Sequence, residues 1–243
     1  MVSLHQLTAC YTGTIDNAIP ILTEQISFTF AVNISTYFKL MADLPVLNAF
    51  GLAPNMSKEQ IYTLPLRHFD GRILLVDSID SFHQVYDELR NYTVLGFDTE
   101  TKPSFKKGNR NKVSLVQLAN HDMAVLIRVN RIGIPDGLAE ILSSSRKIKA
   151  GVAIKDDISG LNKLRPFIPA GFVELQNYVK EYGILANGLR GLTAILLGFR
   201  ISKSQQVTNW DADELSESQL IYAATDAWVG YQIFAKLNSL KSI

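Results

Sequence analysis

Cysteine is almost absent from this chain of 243 residues, and Cys10 is the only one. A single cysteine excludes an internal disulfide and a cysteine-based zinc cluster. It is also typical of a reducing compartment. The sequence therefore favours a cytoplasmic protein whose fold is stabilised by packing.

A net charge of either sign is also lacking, because 24 Lys and Arg oppose 23 Asp and Glu. A formal charge of +1 gives no attraction of the whole molecule to a polyanion. If the protein binds nucleic acid, the positive charge must be concentrated locally.

Long apolar runs are missing as well. A membrane-spanning helix needs about 20 mostly apolar residues. The most apolar early stretch, residues 21–42, is interrupted by Glu24, Gln25, Asn33 and Lys39. The chain starts without a basic segment followed by an apolar run, so we read no signal peptide. We expect no membrane partner.

The hydrophobic content of 47% is high enough for one domain with a substantial core. Residues 1–57 follow no clear period, and we treat them as an N-terminal extension of uncertain structure. They would be missing from the protein if translation began at Met41 or Met56. Residues 58–243 carry a regular pattern and form the predicted domain.

Apolar runs and helical spacing predict an alternation of strands and helices in that domain. Hairpin-joined strands followed by strands that alternate with helices predict an α/β fold with a mixed central sheet flanked by helices. The predicted strands are 73–76, 93–98, 112–119, 123–128, 147–154 and 172–175. The predicted helices lie at about 80–89, 138–142, 156–164, 176–182, 189–197 and 216–240.

One predicted strand runs directly into two acids, Asp98 and Glu100. Side chains two residues apart on an extended chain project to the same side, so these carboxylates could bind one cation while Thr99 points away. Alternatively, the strand simply reaches the surface and becomes a polar loop. The choice depends on whether other acids join them.

Two other places supply acids. A second apolar strand is followed by Asp156 and Asp157 at a helix start, where either could be a helix cap. In the last helix, Tyr222 and Asp226 lie one turn apart on one face among small alanines. Asp226 either faces solvent or has a ligand, because an unpaired buried carboxylate is strongly disfavoured.

Three separated motifs together resemble the DEDD group of 3′–5′ exonucleases. They are Phe97-Asp98-Thr99-Glu100, Gly151 followed by Asp157 and Leu161, and Tyr222-Ala223-Ala224-Thr225-Asp226. The similarity covers residues 60–240 and is greatest to the tyrosine subgroup, which includes ribonuclease D and the Werner-type exonuclease domains. The histidine subgroup has His five residues before the last acid, where this chain has Ile221.

The resemblance implies a ribonuclease H-like fold and a set of five catalytic residues: Asp98, Glu100, Asp157, Tyr222 and Asp226. Asp157 is chosen over Asp156 because the family has a leucine four residues later, which Leu161 matches.

The implied reaction is phosphodiester hydrolysis with two divalent cations, Mg²⁺ or Mn²⁺, which prefer oxygen ligands. The four acids would be the ligands, with Asp98 bridging both ions and Asp157 supporting the second. The alternatives are a catalytically silent nucleic-acid-binding module and an endonuclease or integrase-like relative.

A basic loop directly follows the first acidic motif and provides the local positive charge. Its cations would bind phosphates, and its aromatic residue would stack on a base of DNA or RNA. The candidate substrate-binding residues are Lys102, Phe105, Lys106, Lys107 and Arg110. A solvated loop is the alternative. Further polar residues precede the last helix, namely Lys203, Gln205, Gln206 and Asn209, whereas Trp210 is expected to be a packing anchor.

Overall fold

A computed structural model describes residues 47–48, 50–103 and 111–241. The strands are β1 (Arg72–Val76), β2 (Val94–Thr101), β3 (Val113–Ala119), β4 (Met123–Ile127), β5 (Ile148–Gly151) and β6 (Phe172–Glu174). The helices are α1 (Lys58–Thr63), α2 (Ile79–Leu89), α3 (Val129–Ile132), α4 (Asp136–Ser143), α5 (Lys155–Leu164), α6 (Leu175–Tyr178), α7 (Leu189–Leu197) and α8 (Glu217–Lys241). A 3₁₀ turn, Val179–Tyr182, follows α6.

The six strands form one sheet in the order β1-β4-β3-β2-β5-β6. The pairs β2/β3 and β3/β4 are antiparallel, whereas β1/β4, β2/β5 and β5/β6 are parallel. The turn between β3 and β4 is closed by Asn120, whose side-chain oxygen accepts from the Met123 amide at 2.8 Å. The mixed α/β sheet predicted from the sequence is confirmed.

Helices cover both faces of this sheet, so its central strands are buried on both sides. Alternate residues of β3 and β4 pack on one face against α2 and α4, in a core that contains Phe82 and Leu138. The other face packs against α8 through a core that includes Trp210. Strands buried on both faces lose the polar alternation of a surface strand, which explains the nearly continuous apolar sequences of β3 and β4.

The helix α8 lies unusually close to β2. A Cβ atom placed on Gly96 would stand 1.8 Å from the Ala227 carbonyl oxygen, and one on Gly230 would stand 2.8 Å from the Ala150 carbonyl oxygen. Only glycine permits backbones to approach so closely. The small residues at these contacts set the distance between the two elements that carry the predicted acids.

Several predicted boundaries are wrong. The strand β2 continues to Thr101 because its pairing with β3 extends through Glu100 opposite Leu115 and Thr101 opposite Val113. The strand β5 is shorter than predicted and ends at Gly151. The predicted helix at 176–182 is divided between α6 and the 3₁₀ turn. The sequence did not predict α1 or α3.

Residues shortly before α1 also contact the domain. The Asn48 side-chain nitrogen donates to the Tyr182 carbonyl at 2.6 Å, and the Leu185 amide donates to the Pro54 carbonyl at 2.7 Å. The described part of the chain contains no helix with the length and apolarity needed to cross a membrane.

Candidate active site

Four of the five predicted catalytic residues line one cavity of about 640 Å³. Asp98 and Glu100 enter it from β2, and Tyr222 and Asp226 enter it from α8. The prediction that the two β2 acids share a cavity with Asp226 is therefore confirmed. The i, i+2 spacing on the strand and the i, i+4 spacing on the helix direct each pair to this common space.

The helix residues are almost inaccessible to solvent. The exposed fraction is 8% for Asp226 and 9% for Tyr222. The alternative that Asp226 lies on the solvent side of its helix is wrong. Trp210 is fully buried, with its ring centroid 6.1 Å from that of Tyr222, so its predicted role as a packing anchor is confirmed.

Burial disfavours the charged form of the three cavity acids, and repulsion by other acids adds to it at Asp98 and Glu100. Burial, followed by the charges of Asp226 and Asp157, raises the pKa of Asp98 well above its ordinary value. Burial, followed by the Asp98 charge, raises the pKa of Glu100 to about 10. Burial also raises the pKa of Asp226. Carboxylates arranged in this way are costly unless a cation compensates their charge.

Tyr222 has the opposite chemical character, because it is a donor among acceptors. Burial, then the neighbouring Asp226 and Glu100 charges, raises the pKa of its hydroxyl far above the ordinary value. The hydroxyl therefore keeps its proton at neutral pH.

Asp157 is placed differently from the other acids. It lines a second cavity of about 390 Å³ with Lys102, Lys112 and Lys163. Its carboxylate accepts a hydrogen bond from the Thr99 hydroxyl. Asp157 is half-buried, whereas Asp156 is exposed. The hydroxyl between Asp98 and Glu100 thus connects Asp157 to the first acidic motif.

The start of α5 depends on a contact that sequence reasoning missed. Glu174, at the end of β6, accepts from the backbone amides of Ala153 at 2.9 Å and Ile154 at 3.0 Å. Ala153 has a positive φ of 62°, a conformation that is uncommon outside glycine. The carboxylate stabilises the tight passage from β5 into the helix that carries Asp157. About twenty residues separate the partners, so no local pattern reveals them.

The rest of the cavity wall was predicted only in part. It comes from α1, from residues 188–191 at the start of α7, and from residues 201–206. Of the four polar residues singled out before the last helix, Lys203 and Gln206 line the cavity. Lys102 is exposed at the second cavity. The other predicted substrate-binding residues, Phe105, Lys106, Lys107 and Arg110, lie outside the described residues.

The oxygen-only donor set suits a hard cation such as Mg²⁺. Asp98, Glu100 and Asp226 share one cavity, where burial raises the pKa of each and a bound cation would compensate their negative charge. Among the described residues, however, no group of three Asp, Glu, His or Cys side chains lies close enough together to hold a metal ion. The donor set of the site therefore fits divalent cations in its chemistry.

The fold and the acid-lined cavity define a nuclease of the ribonuclease H-like class. Residues 74–240 match the family model described as 3′–5′ exonuclease. The chain belongs to this family.

Curated relatives agree with this assignment. The chain is 34% identical over 153 residues to the mouse bifunctional 3′–5′ exonuclease/ATP-dependent helicase WRN. It is 32% identical over 162 residues to human exonuclease 3′–5′ domain-containing protein 2. These alignments cover 60% and 62% of this chain but only 11% and 26% of the relatives.

Solved structures give the same fold. The Nibbler EXO domain of Aedes aegypti is 27% identical with a TM-score of 0.64, over 73% of this chain and 92% of that one. Escherichia coli RNase D is 23% identical with a TM-score of 0.62, over 69% of this chain and 44% of that one, and supports the fold alone.

Proposed function

We propose that the protein is a metal-dependent 3′–5′ exonuclease that hydrolyses phosphodiester bonds and releases nucleoside monophosphates. The observation that carries the proposal is the convergence of Asp98, Glu100, Tyr222 and Asp226 in one cavity, within a chain of the 3′–5′ exonuclease family. A chain that kept only the fold would not need one buried acid, two half-buried acids and a buried tyrosine in one place.

Asp98, Glu100 and Asp226 would hold the first divalent cation, with Asp157 supporting the second. When bound, two such ions lower the pKa of a water molecule and neutralise charge on the attacking and leaving oxygens. The carboxylates contribute negative charge in a partly buried cavity, where the lower dielectric constant strengthens their attraction for a cation.

Tyr222 acts on the attacking side of the reaction. Its protonated hydroxyl lies on the same cavity as the acids and donates a hydrogen bond to the Asp226 carboxylate. A phenol that holds its proton this firmly is a poor base at neutral pH and a good positioner of a water molecule or of a substrate oxygen.

The substrate is a single-stranded or recessed 3′ end of DNA or RNA. Lys203 and Gln206 on the main cavity, and Lys102, Lys112 and Lys163 on the second, support contacts to the phosphate backbone. These lysines provide locally the positive charge that the neutral chain lacks as a whole.

The test is incubation of the protein with 5′-labelled single-stranded DNA, RNA and a recessed duplex, in Mg²⁺, Mn²⁺ or EDTA. We expect a ladder that shortens from the 3′ end, and that is absent in EDTA and in Asp98→Ala. Internal cleavage would instead indicate an endonuclease. Binding without shortening in every metal would identify a silent binding module.

A further inference from the structure

The mouth of the cavity is completed by a segment that precedes the family region. The helix α1 places Lys58, Ile61 and Tyr62 on the cavity that contains Asp98 and Asp226. The match to the exonuclease family begins only at residue 74. This part of the wall therefore lies outside the residues that the family model matches.

Tyr62 stands at the outer end of the cavity and has two arginines against its ring. Its exposed fraction is 62%, whereas that of Asp226 is 8%. The guanidinium carbon of Arg190 lies 5.6 Å from the ring centroid, and that of Arg200 lies 5.9 Å from it. The buried Nε of Arg190 has no hydrogen-bond partner within the described residues.

The position of this helix is fixed by backbone and side-chain contacts. The Arg200 amide donates to the Pro65 carbonyl, and the Arg67 amide donates to the Arg200 carbonyl, both at 2.9 Å. The Nε of Arg200 donates to the Leu64 carbonyl at 3.1 Å, which leaves the outer guanidinium nitrogens available. Ser57 closes a capping box at the start of the helix. These contacts hold α1 and the Arg200 side chain against the cavity wall.

We propose that Tyr62, Arg190 and Arg200, here called the mouth cluster, bind the unpaired nucleotides immediately upstream of the 3′-terminal one. The exposed ring stacks on a base, and the guanidiniums hold the backbone phosphate. An aromatic ring beside arginines is the usual arrangement for single-strand binding without sequence preference. Asp226 lies deep in the cavity and the exposed Tyr62 lies at its rim, so the cluster meets the nucleotide that precedes the one at the acids. This proposal rests on the exonuclease function proposed above.

The test compares a substrate that reaches the mouth cluster with one that does not. The first is a 5′-labelled ten-nucleotide thymidine strand, and the second is the p-nitrophenyl ester of thymidine 5′-monophosphate, which has no upstream nucleotide. Loss of one base–aromatic stack costs roughly tenfold in affinity or more. We expect Tyr62→Ala to raise KM for the strand about tenfold and to leave kcat and KM for the ester unchanged. Tyr62→Phe should retain the wild-type KM.

Two further variants separate the contributions of charge and of general surface changes. In a plot of the logarithm of the binding constant against the logarithm of salt concentration, Arg190→Gln should reduce the slope by about one unit. The reason is that one phosphate contact is lost. Ile168→Ala removes a side chain with an exposed fraction of 82% that lies on none of these cavities, and it should change nothing.

The proposal would be contradicted if Tyr62→Ala lost activity equally on the strand and on the ester. An unchanged KM for the strand in Tyr62→Ala would contradict it as well. If wild-type protein hydrolyses neither substrate, the proposed exonuclease function fails. A binding measurement then tests whether the mouth cluster contacts the strand. Fluorescence anisotropy of the labelled strand in Ca²⁺ should then show about tenfold tighter binding by wild type than by Tyr62→Ala. Equal affinities of wild type and Tyr62→Ala for the strand would reject the proposal. It would also be rejected if Tyr62→Ala weakened binding of a blunt duplex as much as binding of the strand.

Discussion

The Tyr222 hydroxyl is a proton donor surrounded by acceptors, since burial and the neighbouring carboxylates keep its pKa far above neutral pH. If it positions the attacking water or a substrate oxygen, Tyr222→Phe should lower kcat about 100-fold, the usual loss for one well-placed donor. KM should change little, because the ring that packs against Trp210 remains. Steady-state hydrolysis of a 5′-labelled strand, with substrate in excess over enzyme, measures both quantities.

The matched control for this variant is Tyr231→Phe. Tyr231 lies on the same helix but is not among the residues that line the cavity. Its substitution should leave kcat at the wild-type value. Equal rates for Tyr222→Phe and wild type would mean that the tyrosine only packs.

Lys149 is a buried cation that holds together three backbone segments. Its exposed fraction is 0%, and its ammonium donates to the carbonyls of Ser144, Lys147 and Ala170 at 2.8, 2.8 and 2.6 Å. Lys149→Met should lower the free energy of unfolding by about 3 kcal/mol, because buried acceptors lose their partner. In a domain of this size that corresponds to a fall in Tm of roughly 6 to 12 °C. Lys236→Met, at an exposed helix position, serves as the control and should leave Tm unchanged.

The charge of Lys149 also predicts a pH dependence. Burial, then the Lys147 charge, lowers the pKa of Lys149 to about 8, whereas an unfolded lysine titrates near 10.4. Between these values the unfolded chain binds more protons, so the free energy of unfolding should rise from pH 8 to about pH 10.4. Urea unfolding across this range should show the rise in wild type and its loss in Lys149→Met. The same slope in both proteins would assign the effect to other groups.

At the scale of elements, the contact between β2 and α8 sets the geometry of the site. A Cβ atom on Gly96 would meet the Ala227 carbonyl oxygen at 1.8 Å and the Tyr231 amide nitrogen at 2.6 Å, and neither backbone atom can rotate away. Gly96→Ala should therefore separate the strand from the helix, move Asp98 away from Asp226 and cost about 3 kcal/mol. Thermal unfolding and the exonuclease assay should both register the loss.

Gly188→Ala is the stability control for this prediction. No atom lies within 4 Å of the Cβ that would be added at Gly188, so Tm should stay near the wild-type value. A Gly96→Ala protein with wild-type Tm and activity would show that the helix can move away without affecting the site.

The elements also show which parts of the site could be predicted from sequence. Asp98, Glu100, Tyr222 and Asp226 were found because each pair obeys a local period, two on a strand and four on a helix. The extent of β2 beyond Asp98 was missed, since the strand gains these residues from its pairing with β3. The Glu174 contact and the α1 wall were missed because distant segments form them.

At the scale of the whole molecule, the cavity acids should reduce the stability of the metal-free protein. Asp98 is held beside Asp226 and Asp157 with its pKa well above the ordinary value, so its burial opposes folding. Asp98→Asn should raise the free energy of unfolding without metal by about 1 to 2 kcal/mol, as neutralising substitutions at functional sites often do. Activity should be lost in the same variant. Thermal unfolding in EDTA measures the first effect.

Divalent cations should make wild type more stable than Asp98→Asn. A ligand at 100 times its Kd stabilises the folded state by about 2.7 kcal/mol, so Mn²⁺ should raise the Tm of wild type by roughly 5 to 10 °C. Asp98→Asn should show little or no such shift, because it has lost a carboxylate ligand. Asp122→Asn removes an exposed carboxylate from the turn between β3 and β4, and its shift should equal that of wild type. If Asp98→Asn were less stable than wild type in EDTA, or shifted equally with Mn²⁺, then the acids would have a structural role and the cation would bind elsewhere.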